Sequence, residues 1–222
     1  MNIIAPDANI SDLNIFEPQG WPDLSLTILA WDQTGENYAA YRNADIINYS
    51  IEYQWSESQL RNNGIDPNWT LKEYSDWQIQ LGNTPHSFLV VVAAGDQGAD
   101  CDVIANCNLL AFGHEALGSA SITVGTLNEN GTELADYSNR AGMLMNSFIA
   151  APTLGDSGTS FSAPVVTGTA ALIMDKFDTN AEQTRQIIFK TADDLGAPGV
   201  DPIFGHGALN VGRALSPVGN LR

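Results

Sequence analysis

The run "GDSGTSFSAPVVTG" at residues 155–168 consists mostly of small residues, carries five hydroxyl side chains and leads into an apolar stretch. Gly158 allows a tight bend, and the apolar residues that follow predict a buried helix. A serine in the first turn of such a helix lies among backbone N–H groups that have no helical partner and can stabilise an anion. Ser160 is therefore a candidate nucleophile, and Pro164 is expected in the same first turn, where no N–H is needed. A capped core helix whose glycines serve only packing is the alternative.

Alternating strands and helices are predicted to position this serine. Short apolar runs predict strands at 10–16, 44–51, 87–95, 119–127 and 145–152, and the third run is apolar on both faces, as a central parallel strand is. Helices are predicted at 70–82, where Thr70 and Glu73 form a capping box, at 163–177, and from Asn180 onward. This order predicts an α/β domain with a mainly parallel sheet.

The composition limits the class of protein to which the chain can belong. A length of 222 residues with 44% hydrophobic and 16% charged side chains predicts one folded domain, in which the polar stretch at 53–68 is a candidate surface insertion. The net charge of -17 argues against nucleic acid or an anionic membrane as partner. No apolar run is long enough for a membrane span, and the first residues lack the features of a signal peptide.

The two cysteines, Cys101 and Cys107, lie six residues apart in a polar loop. An even, local pair is compatible with a small disulfide loop in an oxidising compartment and equally with two free thiols. The spacing is not that of a zinc site.

Several segments, in the right order, resemble the subtilisin-like serine proteases (subtilases, peptidase family S8). "GTSFSAPVVTG" resembles the nucleophile signature of the family, and "VVVAAGDQG" resembles the strand and turn that carry its oxyanion-hole side chain. "SITVGTLNENGTELADYSNRAG" resembles the next strand and its Ser-Asn turn. The closing segment "GAPGVDPIFGHGALNVGRAL" is similar to that of secreted and autotransporter-type bacterial subtilases. The resemblance covers nearly the whole chain apart from 53–68.

This resemblance implies a fold and a reaction. The fold would be a three-layer sandwich with a mainly parallel central sheet, and the activity that of a serine endopeptidase acting on protein or peptide substrates through an acyl-enzyme on Ser160. No cofactor is implied, structural calcium being left open. An extracellular or cell-surface location is implied as well.

Five further residues take family positions beside the nucleophile. Asp96 stands where most subtilases have the oxyanion-donating Asn; a protonated carboxyl would donate to the oxyanion, whereas a carboxylate would repel it. Ser50 and Ile51 fall on one wall of the primary substrate pocket, and Ala94 and Gly95 fall on the other.

The sequence departs from the family in one respect that bears on catalysis. The motifs of the catalytic Asp and His, "Asp-(Ser/Thr)-Gly" and "His-Gly-Thr", do not occur in it, and none of His86, His114 and His206 stands in a catalytic motif. We therefore expect the C-terminal portion of a subtilase domain, without the N-terminal strand and the His-bearing helix, inactive alone and complemented by a segment that carries Asp and His. The alternative is a catalytically dead module that binds peptides or a partner protein along the cleft edge.

Overall fold

Four parallel strands form the sheet that carries the candidate site. The computed structural model describes residues 5–8, 44–52, 54–80, 87–116, 118 and 120–216. Strands β1 (Ile46–Tyr49), β2 (Leu89–Ala93), β3 (Ser121–Thr126) and β4 (Phe148–Ala151) are hydrogen-bonded in the order β1-β2-β3-β4. The strands predicted at 44–51, 87–95, 119–127 and 145–152 are confirmed, each shorter at both ends. The strand predicted at 10–16 lies outside the described residues.

Helices cover both faces of this sheet. They are α1 (Glu57–Asn62), α2 (Leu71–Gln80), α3 (Leu109–Ala116), α4 (Thr159–Phe177), α5 (Ala181–Lys190) and α6 (Val211–Ala214). Apolar residues of α4 and α5 pack on one face, and residues of α1, α2 and α3 pack on the other. The predicted three-layer α/β sandwich is therefore confirmed. In the described part of the chain, every helix is too short or too polar to cross a bilayer.

The surroundings of strand β2 explain why its sequence is apolar throughout. Leu89, Val91 and Ala93 face the layer of α4 and α5, whereas Val90 and Val92 face the layer of α1 to α3. All five side chains are buried. A strand covered on both faces and flanked by β1 and β3 has no solvent-facing position for a polar residue.

Two helix starts follow from local sequence. At α2, the Thr70 N–H donates to Glu73 Oε2 (2.8 Å) and the Glu73 N–H donates to Thr70 Oγ1 (3.5 Å), which is the predicted capping box. At α5, Asn180 and Gln183 make the same reciprocal pair of bonds. Each pair satisfies N–H groups that the helix itself leaves without partners.

The polar stretch at 53–68 contains α1 and is anchored to the core. Leu60 and Ile65 are buried within the apolar layer on the α1 to α3 side. Most of its other described residues are exposed. The stretch is a surface feature that is anchored by Leu60 and Ile65, with Trp55 packed against the same layer.

A disulfide joins Cys101 and Cys107, which decides between the two alternatives left open by the sequence. Both residues are buried beside Leu144 and Ile104 in the layer on the α1 to α3 side. The loop that follows β2 is thereby closed on itself, just beyond the turn at residues 94–98.

Candidate active site

Helix α4 begins at a glycine that has an unusual backbone conformation. Gly158 is the N-cap of α4 with φ +126°, a value that L side chains rarely adopt. Its N–H donates to the Tyr137 hydroxyl (3.0 Å). A Cβ at position 158 would lie 3.1 Å from Asp96 Oδ2, a tight approach. The glycine therefore permits both the bend and the close contact that place Ser160 at the second position of the helix.

Pro164 does not lie in the first turn of α4, so that expectation is wrong. The helix starts at Thr159, which makes Pro164 its sixth residue, in the second turn. A residue there would normally donate its N–H to the carbonyl four residues earlier, which is that of Ser160. Because proline has no N–H, the Ser160 carbonyl lacks its usual helical donor.

The Ser160 N–H is available at the start of the helix. Its two neighbours are engaged: the Thr159 N–H donates to Asp96 Oδ1 (2.8 Å), and the Phe161 N–H donates to the Gly158 carbonyl (2.9 Å). Within the described ranges, no acceptor receives the Ser160 N–H, and the residue is half-buried. A free donor at the positive end of a 19-residue helix is suited to stabilise an oxyanion.

Asp96 binds the nucleophile helix to the turn that follows β2. Its Oδ1 accepts from both the N–H and the hydroxyl of Thr159, at 2.8 and 2.9 Å. The same hydroxyl oxygen accepts from the Gly95 N–H (3.1 Å). In this geometry Asp96 is an acceptor that caps α4.

The predicted pocket residues lie at the same edge of the sheet as Ser160. Ser50 and Ile51 follow β1, and Ala94 and Gly95 follow β2, its neighbour in the sheet. The carboxyl ends of parallel strands are where such folds bind their ligands. The structure therefore brings these four residues and the start of α4 to one edge of the sheet, which we call the crevice.

Two asparagines hold the walls of this crevice, and sequence reasoning did not single them out. Asn108 Nδ2 donates to the carbonyls of Ile51 (2.9 Å) and Ala93 (2.7 Å), so it bridges the ends of β1 and β2. Asn139 Oδ1 accepts from the N–H groups of Gln97 and Ala99. Both asparagines are buried. The only signal for Asn139 in the sequence is its place in the Ser-Asn turn.

A hydrogen-bond chain also connects Ser50 to the nucleophile helix. The Ser50 hydroxyl accepts from Asn48 Nδ2 (2.8 Å), and Asn48 Oδ1 accepts from the Thr167 hydroxyl of α4 (2.8 Å). The wall formed by β1 is thus fixed relative to the helix that carries Ser160.

Neither described histidine is on the side of Ser160. His206 lies at the amino end of β4, where its N–H donates to the Phe148 carbonyl, whereas Ser160 follows the carboxyl end of β4. His114 is buried in α3 and stacks on Tyr49, on the face of the sheet opposite α4. His86 lies outside the described residues.

The surroundings of His206 predict a pH dependence of stability. Its ring stacks on Phe189 (3.9 Å between centroids), and burial lowers its pKa below the ordinary value of 6.5, opposed by a contact with the Asn146 carbonyl. The folded state therefore favours neutral histidine. Its stabilising contribution is complete above pH 6.5 and is lost as the pH falls from 6.5 toward the lower folded pKa.

We expect His206→Phe, which keeps an aromatic ring on Phe189, to remove this contribution. Thermal unfolding followed between about pH 5 and 8 checks it, with the difference between wild type and variant as the readout. Wild type should lose stability relative to the variant as the pH falls through this range. A constant difference would contradict the assignment.

Comparisons with known proteins give consistent results. The Subtilase family profile matches residues 4–207. The Neisserial autotransporter lipoprotein NalP of Neisseria meningitidis serogroup B is 40% identical over an alignment of 101 positions, which covers 40% of this chain and 9% of NalP. Subtilisin E of Bacillus subtilis is 27% identical over an alignment of 222 positions, which covers 95% of this chain and 50% of subtilisin E. An extracellular serine protease of Serratia marcescens is 39% identical over 98 residues, covering 42% of this chain and 9% of that protein. The chain thus spans half or less of these relatives.

Solved structures share the fold. A lanthipeptide protease superposes with a TM-score of 0.64 at 20% identity, over 97% of this chain and 72% of its own. The PatG macrocyclase in complex with peptide gives a TM-score of 0.56 at 21% identity, over 90% of this chain and 58% of its own. At these identities the likeness concerns the fold.

Proposed function

Because the chain belongs to the Subtilase family, we propose that it hydrolyses peptide bonds in proteins through an acyl-enzyme on Ser160. The observation that carries the proposal is the free N–H of Ser160 at the start of α4, beside the ends of β1 and β2. The Ser160 oxygen would attack the substrate carbonyl as a base takes its proton. The Ser160 N–H would stabilise the oxyanion, the base would protonate the leaving amine, and water would then hydrolyse the acyl-enzyme.

The base in this proposal is neither His114 nor His206. His114 lies across the sheet from α4, and His206 lies at the opposite end of β4 from the serine. A serine hydroxyl without a base is a weak nucleophile. The proposal therefore includes a complementing segment that carries an Asp and a His in the family's "Asp-(Ser/Thr)-Gly" and "His-Gly-Thr" motifs.

Turnover of fluorogenic peptides tests this function. The 222-residue chain alone should show negligible hydrolysis, and the chain joined to a segment with both motifs should hydrolyse peptides in a reaction lost in Ser160→Ala. Robust turnover by the chain alone that Ser160→Ala abolishes would place the base within these residues. Turnover that survives Ser160→Ala would remove Ser160 from the mechanism.

One observation favours a second candidate function: among the described residues, no histidine lies on the side of Ser160. In that function the crevice binds peptides or a partner protein without cleaving them. The joined protein distinguishes the two functions, because a binding module would retain peptides in the crevice while producing no cleaved product.

Asp96 is proposed to donate to the oxyanion in its protonated form through Oδ2, because Oδ1 accepts from Thr159. Such donation weakens as the pH rises, whereas an amide donates at any pH. We expect Asp96→Asn to raise kcat/KM mainly on the alkaline side of the pH profile. Asp175→Asn, an exposed change near the far end of α4, is the matched control. Superimposable profiles for wild type and Asp96→Asn would leave Asp96 only its capping role.

The proposed site of action is outside the cytoplasm. The Cys101–Cys107 disulfide suits an oxidising compartment. The names of NalP and of the Serratia marcescens protease describe an autotransporter and an extracellular enzyme. Protein or peptide substrates are the proposed partners.

A further inference from the structure

The side chain of Glu52 crosses from one wall of the crevice to the other. Glu52 lies two residues after Ser50, beyond the end of β1, and its Oε2 accepts from the Asp96 N–H after β2 (3.3 Å). A Cβ at Gly95, which has φ +108°, would lie only 2.9 Å from Glu52 Oε1. The carboxylate therefore lies directly against Gly95, where a side chain on that wall would otherwise be.

One oxygen of this carboxylate has no partner. Glu52 Oε1 is buried and makes no hydrogen bond in the described part of the chain, although the residue as a whole is only partly buried. A buried acceptor without a donor costs free energy, and more so when it is charged. The free protein thus holds an unsatisfied negative atom between the two walls of the crevice.

No positively charged side chain among the described residues pairs with the Glu52 carboxylate. Ion pairs join Arg61, Lys72, Arg140, Arg185 and Arg213 to acids other than Glu52, and Lys190, in the last turn of α5, makes no ion pair with Glu52. Lys176 donates to the Leu215 carbonyl. The side chain next to Glu52 at the crevice, Asp96, is itself acidic, and the whole chain carries a net charge of -17. A cation that pairs with Glu52 would have to arrive with a ligand.

We propose that Glu52 is a specificity-determining residue that selects substrates with Arg or Lys at the residue whose carbonyl Ser160 attacks. This inference rests on the proposed peptidase function. The side chain of that residue would enter between the wall of Ser50 and Ile51 and the wall of Ala94 and Gly95. Because Oε1 is buried against Gly95 in the free protein, the Glu52 side chain would turn toward the entering cationic group, which would then donate to Oε1. A neutral side chain would leave Oε1 without a partner, and this is how a polar site rejects an analogue that lacks the donor.

Equilibrium binding of product-like peptides tests the preference without requiring catalysis. Two peptides that end in arginine or in citrulline, its neutral isostere, are titrated against the 222-residue chain by calorimetry or fluorescence anisotropy. We expect the arginine peptide to bind about tenfold more tightly, as for a partly buried charge pair. Glu52→Gln should bring the two affinities within about twofold of each other, whereas Glu129→Gln, which removes an exposed acid, should leave the ratio unchanged.

Three results would overturn the inference: equal binding of the two peptides by the wild type, an undiminished ratio in Glu52→Gln, or no binding of either peptide. The wild type supplies a second readout should the variant fold poorly. It should bind a peptide that ends in lysine more tightly than one that ends in norleucine, which lacks the ammonium donor. Equal binding of these two peptides would also contradict a charge interaction.

The experiments can distinguish a failure of the Glu52 specificity assignment from a failure of the proposed peptidase function. If Ser160→Ala abolishes peptidase activity of the joined protein but the arginine preference is absent, the function stands and the specificity assignment fails. If the arginine preference is present and lost in Glu52→Gln but Ser160→Ala has no effect on cleavage, the crevice binds as proposed and the nucleophile assignment fails.

Discussion

Ser160→Ala is expected to abolish labelling by a serine-directed fluorophosphonate, and to lower the chemical step by several orders of magnitude, in the protein joined to its Asp and His segment. The reason is that nucleophile and base act as a unit, so removing either one removes most of the rate enhancement. Gel fluorescence for the label and single-turnover kinetics for the chemical step measure the two effects.

Ser157→Ala is the matched control for this prediction. Ser157 is an exposed serine three residues earlier, in the loop that precedes α4. It should retain both labelling and turnover. Near-normal cleavage by Ser160→Ala would mean that another residue is the nucleophile.

Gly158→Ala is expected to lower kcat by about a hundredfold, because a small displacement of a catalytic group is enough for a loss of that size. Gly158 has φ +126°, and its added methyl would lie 3.1 Å from Asp96 Oδ2, at the contact that fixes the start of α4. Relief of that contact must move either the carboxylate or the first turn, which carries Ser160. Steady-state kinetics of the joined protein, together with thermal unfolding, measure activity and stability separately.

Gly155→Ala separates backbone strain from displacement of the serine. Gly155 lies in the same loop and also has a positive φ (+100°), but a methyl group added there would meet only open space. Both variants should lose stability, by about 1 to 3 kcal/mol for strained backbone. Only Gly158→Ala should lose most of its activity. Equal losses of activity in the two variants would contradict a specific role of the Gly158 contact.

The four described strands were predictable because their burial on both faces leaves a direct mark in the sequence. The run at 87–95 is apolar throughout, and β2 is covered by helices on each side. Helix α3 was not predicted, since "LLAFGHEA" is a short apolar run without a capping signal, which periodicity alone does not assign to a helix or a strand.

The beginning of α4 shows where the pattern of apolar residues stops being informative. The small residues at 155–162 have no helical periodicity, so the pattern indicated a helix only from Ala163, and Pro164 was assigned to the first turn. The structure begins the helix at Thr159, because the Asp96 carboxylate caps it there. That contact joins residues 63 positions apart, which no local pattern contains.

The position of the unpaired Glu52 oxygen also depends on a contact between residues far apart in the sequence. The contact between Glu52 and the Asp96 N–H spans 44 residues and arises only when β1 and β2 lie side by side. Sequence resemblance placed the walls of the pocket on Ser50, Ile51, Ala94 and Gly95. It did not show that a carboxylate lies between them.

Trapping of the acyl-enzyme tests whether Ser160 is the nucleophile. The joined protein is mixed with a slowly hydrolysed peptide ester, quenched in acid and mapped by mass spectrometry. We expect an adduct with the mass of the acyl portion on Ser160, formed together with release of the alcohol and absent in Ser160→Ala. Turnover of the ester with the acyl group on a different residue, or with no adduct on Ser160 under conditions where hydrolysis of the acyl-enzyme is slow, would contradict it.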